Sequence, residues 1–522
     1  MSLKIRFMNK KRATILKIKK LNSKKGKYVI TFFYFLFSFI SILIASFSLN
    51  LYWNINLNLS LNFWLILESL SLLLFFGIIF SIEGVRRLKA INDSKKSNSY
   101  NIFKIFSIFL IITIIIAAFI YFDYSINKMK DHGPYLSWID DSSTTITITW
   151  ETYYSDPKPT FNWGESSFKL SHIPLVGGTN HHHTVTLKGL KPDSTYYYQI
   201  PGFLDKITSF RTSPKEGTRK PFTFFIYGDT REDHPSEPEL YHEENIEQME
   251  LDEDARFVIQ VGDIANRFSE NWMEQWDYNF YIIKPLSKHI PFMTVAGNHD
   301  WWEKVNTPKT GQEYINFFEL PKNGPSNDIT SYYFTYDNVF VMAIGYDHEE
   351  SASPKMYDSK VVNWVKNKLA EAKSSGLYDW TIVFFHKPPF SIKIEGSDYD
   401  KGHINTRYWH PIFMELGVDF VFNGHNHHYE RVCMGNTAET IVSNNITYII
   451  TGGGGGGGWL HDTQLDTFDS KENGVSDINY YGRSEVAVKC HEFVRFKVDG
   501  TRIQLTAIDS KGVIIDNCVF SK

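Results

Sequence analysis

The stretch that most constrains the fold begins at Pro221, where short apolar strands start to alternate with helical segments. The strands read FTFFIYGD, ARFVIQVGD, PFMTVAGNHD, WTIVFFH and VDFVFNGH, and the helical segments include Glu239–Glu250 and Asn271–Tyr281. Such alternation is typical of α/β folds. Strand-like sequence returns near the end, over Phe493–Asp516. We therefore predict an α/β domain over residues 220–522.

Each of these strands stops at side chains of the types that bind metal ions. The residues are Asp229, Asp263, Asn298, His299, Asp300, His386, His425 and His427. Singly, a Gly-Asp pair after a strand is usually a turn, and a lone histidine is usually a hydrogen-bonded rim residue. Strand ends in α/β sheets share one crevice, however, and oxygen and imidazole donors together suit Mn, Fe or Zn. Two such cations bridged by an aspartate can hold a phosphate and generate hydroxide.

A second, all-β pattern precedes this domain, between residues 130 and 214. Alternating runs such as Thr144–Thr149, Thr184–Leu187 and Thr195–Ile200 are separated by Gly, Pro and Asp. Short alternating runs with turn residues in the gaps predict a β-sandwich.

In this order, the motifs GD(T), GD(I), GNHD, FFH and GHNH resemble those of the calcineurin-like metallophosphoesterase superfamily. The continuation HHYER and the upstream segments HTVTLKGLKPDSTYYYQI and SFRTSP resemble the purple acid phosphatase branch. The resemblance implies a fibronectin-III-like sandwich, then a metallophosphoesterase domain of two packed mixed β-sheets flanked by helices.

The resemblance also implies a role for each matching residue. Asp229 and His427 would hold the first of two metals, Asp263 would bridge, and the second metal would bind Asn298, His386 and His425. His299 would contact phosphate and protonate the leaving oxygen, with Asp300 orienting it. Arg231 and Arg267, beside the two GD motifs, would add phosphate contacts. The two metals would be divalent or mixed-valence Fe, Mn or Zn, which the sequence does not distinguish.

Two departures from the family pattern affect these expectations. Asn266 stands where purple acid phosphatases have a metal-binding tyrosine, and Arg231 stands where other members have a histidine. The first metal therefore lacks a ligand unless Asn266 supplies one, and an obligate Fe(III) is not expected. Near the place of a substrate-binding histidine the chain has Glu395, whose carboxylate would repel phosphate. The run Gly452–Gly458 lacks the GK[ST] ending of a nucleotide loop, so we expect backbone passing close beside the site.

The first 122 residues predict a membrane region. Three apolar stretches, Tyr28–Leu51, Leu61–Ile82 and Ile102–Phe122, each approach the roughly 20 residues that a spanning helix needs. Residues 1–27 and the link between the second and third stretches are basic, whereas the link between the first two carries no charge. The positive-inside rule then predicts a cytoplasmic tail at 1–27, a three-span region at 28–122 and an extracytoplasmic catalytic domain in the cell membrane.

The composition of the chain limits the classes of partner that it is expected to bind. Lys and Arg number 54 against 58 Asp and Glu, so no basic field indicates nucleic acid. Cys433, Cys490 and Cys518 allow one disulfide at most. We expect a phosphate ester as substrate and the bilayer as the contact of the spans; the sequence indicates no oligomeric state.

The main hypothesis is a membrane-anchored phosphomonoesterase in which metal-bound hydroxide attacks phosphorus. A phosphodiesterase acting on a nucleotide or lipid headgroup would use the same metals, so this alternative stays open. A different class, a surface binding protein with a degenerate catalytic domain, is favoured by the incomplete first-metal set and by Glu395.

Overall fold

The structure is a computed structural model, and all the residues that it describes lie in one compact unit, Asn127–Lys522. The described residues are 130–153, 156, 159–174, 181–231, 240–266, 272–300, 312–345, 356, 358–391, 409–435, 446–456, 467–469 and 481–522. The predicted cytoplasmic tail and three spans fall outside these ranges. Within the ranges, every helix is too short or too polar to cross a bilayer.

The first part of the described chain is a β-sandwich, as the alternating runs predict. Its strands are β1 (His132–Ser137), β2 (Thr145–Glu151), β3 (Thr160–Ser166), β4 (Lys169–Pro174), β5 (His182–Lys188), β6 (Thr195–Ile200) and β7 (Leu204–Arg211). One sheet has the order β1-β2-β5 and the other β4-β3-β6-β7, with antiparallel pairs throughout. Trp150, Phe161 and Tyr198 are fully buried and in ring contact across the interior.

The second part is an α/β domain. Its first half contains β8 (Phe222–Tyr227), α1 (Leu240–Glu250), β9 (Ala255–Gln260), α2 (Trp272–Ser287), β10 (Phe292–Thr294), α3 (Gln312–Phe317), β11 (Tyr332–Tyr336) and β12 (Val339–Ala343). Its second half contains α4 (Ser359–Ser375), β13 (Trp380–Phe384), α5 (Trp409–Leu416), β14 (Phe420–Asn423), β15 (Tyr429–Gly435), β16 (Ile446–Thr451), β17 (Thr467–Asp469), β18 (Tyr481–Val488), β19 (Glu492–Asp499), β20 (Arg502–Asp509) and β21 (Ile514–Ser521).

These strands form two mixed sheets that pack face to face. The six-stranded sheet has the order β10-β9-β8-β19-β20-β21, and the eight-stranded sheet β11-β12-β13-β14-β16-β15-β18-β17. Phe257 on β9 meets Phe334 on β11 with ring centroids 5.6 Å apart, and Phe422 on β14 meets Phe496 on β19 at 5.1 Å. The parallel strands β8, β9 and β10 of one sheet, and β13 and β14 of the other, carry the candidate residues at their carboxyl ends.

Helix α4 covers the outer face of the eight-stranded sheet. Its buried side chains, Val361, Val362, Val365, Leu369 and Ala372, recur at helical spacing, so one apolar stripe faces the sheet. The helix stops where Gly376 adopts a left-handed conformation with φ 67°, which glycine adopts without the steric penalty of a side chain. Together with α5, this helix shares a second core cluster with Val383 and Val421.

The sandwich and the α/β domain share a core. Trp138, just after β1, is fully buried, and its ring lies 5.7 Å from each of the rings of Phe257, Phe334 and Tyr336. The hydroxyl of Tyr198 donates to the carbonyl of Lys288 at 2.7 Å. The junction is therefore packed like the interior of one domain.

We expect Trp138→Ala to lower the free energy of unfolding by about 3–5 kcal/mol, because it removes the largest side chain at this junction and leaves a cavity. Urea titration of the full chain measures the change. Phe168→Ala, at a side chain that is 99% exposed, is the matched control and should change stability little. A Trp138→Ala protein as stable as the Phe168→Ala protein would contradict a shared core.

Candidate metal centre

Three of the candidate ligands adopt a backbone conformation that residues other than glycine rarely adopt. Asp229, Asp263 and His425 have φ values of 58°, 54° and 70°, in the left-handed region. Such conformations cost roughly 1–3 kcal/mol each and persist where the surroundings enforce them, often at functional sites. Each of these residues lies two or three positions after the end of a parallel strand, so the chain turns there.

Four residues from four strand ends form what we term the second-metal set: Asp263, Asn298, His386 and His425. Ligand atoms of Asp263, His386 and His425 all lie within 4.8 Å of one another. The Nε2 atom of His386 is 3.2 Å from Asp263 Oδ1 and 3.1 Å from Asn298 Oδ1. The opposite ring nitrogen, Nδ1, donates to the carbonyl of Val261 at 2.8 Å, which directs Nε2 towards the other ligands. Oxygen and imidazole donors so arranged fit a transition metal ion.

The residues predicted to hold the first metal, Asp229, Asp263 and His427, also lie together. His427 Nε2 is 3.4 Å from Asp229 Oδ1. Asp229 Oδ2 accepts a hydrogen bond from the backbone N–H of His425 at 2.8 Å. Between them lies Arg231, whose Nε donates to Asp263 Oδ2 at 3.1 Å and whose Nη2 donates to His427 Nε2 at 3.3 Å. A guanidinium thus contacts two of the three ligands, so this set does not fit a cation as it stands.

Burial and mutual attraction set the charges in the site. Burial raises the pKa of Asp229 to about 7. Burial also acts to raise the pKa of Asp263, but the nearby His386, His299 and Arg231 hold it well below its usual range. Burial lowers the pKa of His386, and the two aspartates overcome this and raise it to about 9. A metal ion must therefore displace a proton from His386 at neutral pH, so its affinity increases with pH.

His299 is oriented by Asn266. Its Nδ1–H donates to Asn266 Oδ1 at 3.1 Å, its backbone N–H donates to Asp263 Oδ1 at 2.8 Å, and its Nε2 lies 3.9 Å from Asp263 Oδ2. The ring is 16% exposed, so it can be reached from outside the site. The amide oxygen of Asn266 accepts this hydrogen bond, so Asn266 positions His299, and its role as an extra ligand of the first metal stays a prediction.

Asp300 also has a different place from the one expected. Its buried carboxylate accepts four backbone hydrogen bonds, from Gly297 at 2.6 Å, Asp263 at 2.8 Å, Ile264 at 2.8 Å and Ala265 at 3.0 Å. Asp300 therefore ties the loop after β9 to the loop after β10. It positions Asp263 rather than orienting the ring of His299.

The three predicted substrate contacts have different outcomes. Arg231 is 8% exposed and is bonded to Asp263 and His427, so it does not project as a substrate clamp. Arg267 and Glu395 lie outside the described residues, and their roles stay predictions.

The glycine run passes directly against the first-metal ligands. The N–H of Gly454 donates to Gly228 O and that of Gly456 to Asp229 O, both at 2.9 Å. A Cβ on Gly452 would lie 2.2 Å from the carbonyl of Asn426, so no side chain fits there. Glu492, at the start of β19, accepts hydrogen bonds from Thr451 Oγ1 at 3.0 Å and Gly453 N at 3.3 Å. No spacing in the sequence links Glu492 to this site, since the contact crosses between the two sheets.

Two family models match the chain. Residues 222–429 match the calcineurin-like phosphoesterase family, and residues 132–224 match the N-terminal domain of purple acid phosphatases. These matches confirm the resemblance inferred from the motifs.

Individual relatives and one solved structure are also similar to this chain. An uncharacterized protein of Mycobacterium tuberculosis is 24% identical over 338 residues, which cover 57% of this chain and 61% of that protein. Purple acid phosphatase 1 of Ipomoea batatas is 27% identical over 273 residues, 51% of this chain and 55% of the relative. The chain thus spans less than two thirds of the length of these relatives. A purple acid phosphatase from yellow lupin seeds has a similar fold, with TM-score 0.59 at 20% identity, over 75% of this chain and 74% of that chain.

We expect Asp300→Asn to destabilise the protein and weaken metal binding, because an amide NH2 would face backbone N–H groups that need an acceptor. Each buried donor left without an acceptor costs about 1–3 kcal/mol. The melting temperature and metal affinity of the full chain measure the two effects. Asp141→Asn is the control, since Asp141 is an exposed aspartate that also caps backbone. A wild-type melting temperature and affinity in Asp300→Asn would contradict the positioning role.

Proposed function

We propose that this chain, which carries a calcineurin-like phosphoesterase domain behind a purple acid phosphatase N-terminal domain, is a metal-dependent phosphoesterase that hydrolyses phosphomonoesters. The observation that carries the proposal is the convergence of Asp263, His386 and His425 within 4.8 Å, with His299 at the edge of the same crevice. The predicted site residues include no serine or cysteine, so water activated by a bound metal ion is the proposed nucleophile.

The second-metal set supports the proposal that the reaction depends on a bound metal ion. A cation bound there would polarise a phosphoryl oxygen and lower the pKa of water, which is the chemistry that phosphate ester hydrolysis needs. Asp263 keeps its negative charge because its pKa lies well below the usual range. The donor types accept Mn, Fe or Zn and do not select among them.

His299 supports the second half of the reaction, departure of the alcohol. Its Nδ1–H is bonded to Asn266, which leaves Nε2 as the ring nitrogen that faces the site. In its protonated form, Nε2–H can donate to the leaving oxygen as the ester bond breaks. Nε2 lies 3.9 Å from Asp263 Oδ2, so it faces the predicted metal ligands.

Monoesters are the proposed substrates because several relatives are named as acid phosphatases, in plants and in mouse. The phosphodiesterase alternative shares the same crevice and becomes one outcome of the assay below.

The location is a further proposal, supported by hydropathy and charge alone. The three apolar stretches before residue 123 and the basic segments beside them favour a multi-pass protein of the cell membrane, with a cytoplasmic N-terminus and an extracytoplasmic catalytic domain.

Two single variants separate metal binding from proton transfer. We expect His386→Ala to lose both bound metal and turnover, because it removes a ligand. We expect His299→Ala to keep the metal and lose about 10²–10⁴-fold in kcat, because it removes only the proton donor. Hydrolysis of p-nitrophenyl phosphate and bis(p-nitrophenyl) phosphate by the full chain is measured after chelation and after re-addition of Mn, Fe or Zn.

The outcomes divide the hypotheses clearly. Preference for the diester would replace the monoesterase proposal with the phosphodiesterase one. A folded chain that binds metal but cleaves neither ester would favour the binding-protein hypothesis. Full activity of His386→Ala would show that the second-metal set is not the reaction centre.

For the location, we expect protease added to intact cells to remove an epitope placed after Lys522 and to spare one placed before Met1, because an odd number of spans puts the two ends on opposite sides. Permeabilised cells, which should lose both epitopes, are the control. Survival of the C-terminal epitope in intact cells would contradict the proposed orientation.

A further inference from the structure

Arg231 lies inside the metal centre. Its side chain is 9% exposed, and its guanidinium bridges Asp263 Oδ2 and His427 Nε2 at 3.1 and 3.3 Å. Its backbone is held as well, since its N–H donates to the carbonyl of Asp263 at 3.1 Å. A Cβ on Gly456 would lie 2.8 Å from the carbonyl of Arg231, so the glycine run closes over this segment. The guanidinium is therefore a fixed part of the site.

The atoms that a first metal would need as ligands already contact other groups of the site. The Nε2 lone pair of His427 accepts from Arg231, and Asn266 Oδ1 accepts from His299. Asp229 Oδ2 accepts from the N–H of His425 at 2.8 Å, and Asp229 Oδ1 lies 3.4 Å from His427 Nε2. Arginine itself offers five N–H donors and no lone pair, so it cannot replace a ligand.

Charge leads to the same conclusion. The two buried carboxylates of Asp229 and Asp263 carry at most two negative charges, which one divalent cation in the second-metal set already balances. Arginine stays protonated in proteins, so the guanidinium adds a positive charge at every physiological pH. A second dication among the same ligands would meet this fixed positive charge at contact distance.

We propose that this chain binds one metal ion, in the second-metal set of Asp263, Asn298, His386 and His425, and that the guanidinium of Arg231 permanently takes the place of the first cation. The proposal deepens the proposed phosphoesterase function and rests on the same site. Because guanidinium cannot activate water as a metal does, a cation held by the second-metal set would have to supply the activated water, while Arg231 contributes positive charge and hydrogen bonds to the ligands.

Metal counting tests the proposal without reference to activity. The full chain is chelated, loaded with excess Mn(II) or Zn(II), dialysed, and analysed for metal per chain by mass spectrometry. We expect one equivalent in the wild type, two in Arg231→His, which places an imidazole two residues after Asp229, and none in His386→Ala. In the Mn(II)-loaded Arg231→His protein, we expect the electron paramagnetic resonance spectrum of a coupled pair, and in the wild type that of an isolated ion.

Two controls isolate the cause. Arg219→His introduces the same residue at an exposed arginine that is paired with Asp379, and it should stay at one equivalent. Arg231→Lys keeps a cation at the site and should also stay at one. Two equivalents in the wild type would overturn the proposal, and so would a folded Arg231→His that stays at one. If Arg231→His does not fold, the wild-type count decides. Absence of phosphatase activity with one bound metal would reject the proposed function and leave this inference standing.

Discussion

The site depends on one interaction, the acceptance of four backbone hydrogen bonds by the buried carboxylate of Asp300. Those bonds join the loop after β9 to the loop after β10 and so fix the left-handed turn at Asp263. Asp263 in turn contacts His386, His299 and Arg231. Because all three groups contact Asp263, the geometry of the centre depends on how rigidly Asp300 holds two loops that are far apart in sequence.

The sequence alone predicts the fold class and the strand ends that carry the site. Strand alternation and ligand-type residues are local signals, so they are sufficient to name Asp263, His386 and His425 as candidate ligands. The partners of those residues are not local: Asp300 binds amides of another loop, and Asn266 accepts from His299 across 33 positions. The motif shows that Asn266 replaces a tyrosine, but it does not show which group donates a hydrogen bond to the amide oxygen of Asn266. The direction of the Arg231 side chain is likewise set by packing, which its position beside a GD motif does not reveal.

A guanidinium and a metal ion at the same place in the site differ in their chemistry. A metal exchanges ligands, carries water and depends on its supply, whereas arginine is encoded in the chain and holds its charge whatever the cell provides. With Arg231 beside Asp263, the site therefore lacks one metal ion that could activate water, but it has a positive charge that does not depend on metal supply. The cost is that a single ion in the second-metal set must perform both the activation and the polarisation that two ions share in the binuclear centres of the family.

The aromatic junction around Trp138 has an evolutionary consequence. A domain that meets its neighbour through a polar, hydrated surface can be exchanged between genes as a cassette. Here the interior of the sandwich continues into that of the α/β domain through Phe257, Phe334 and Tyr336. Substitutions on either side must be matched by the other, so the two domains are expected to diverge together and to resist recombination with other partners.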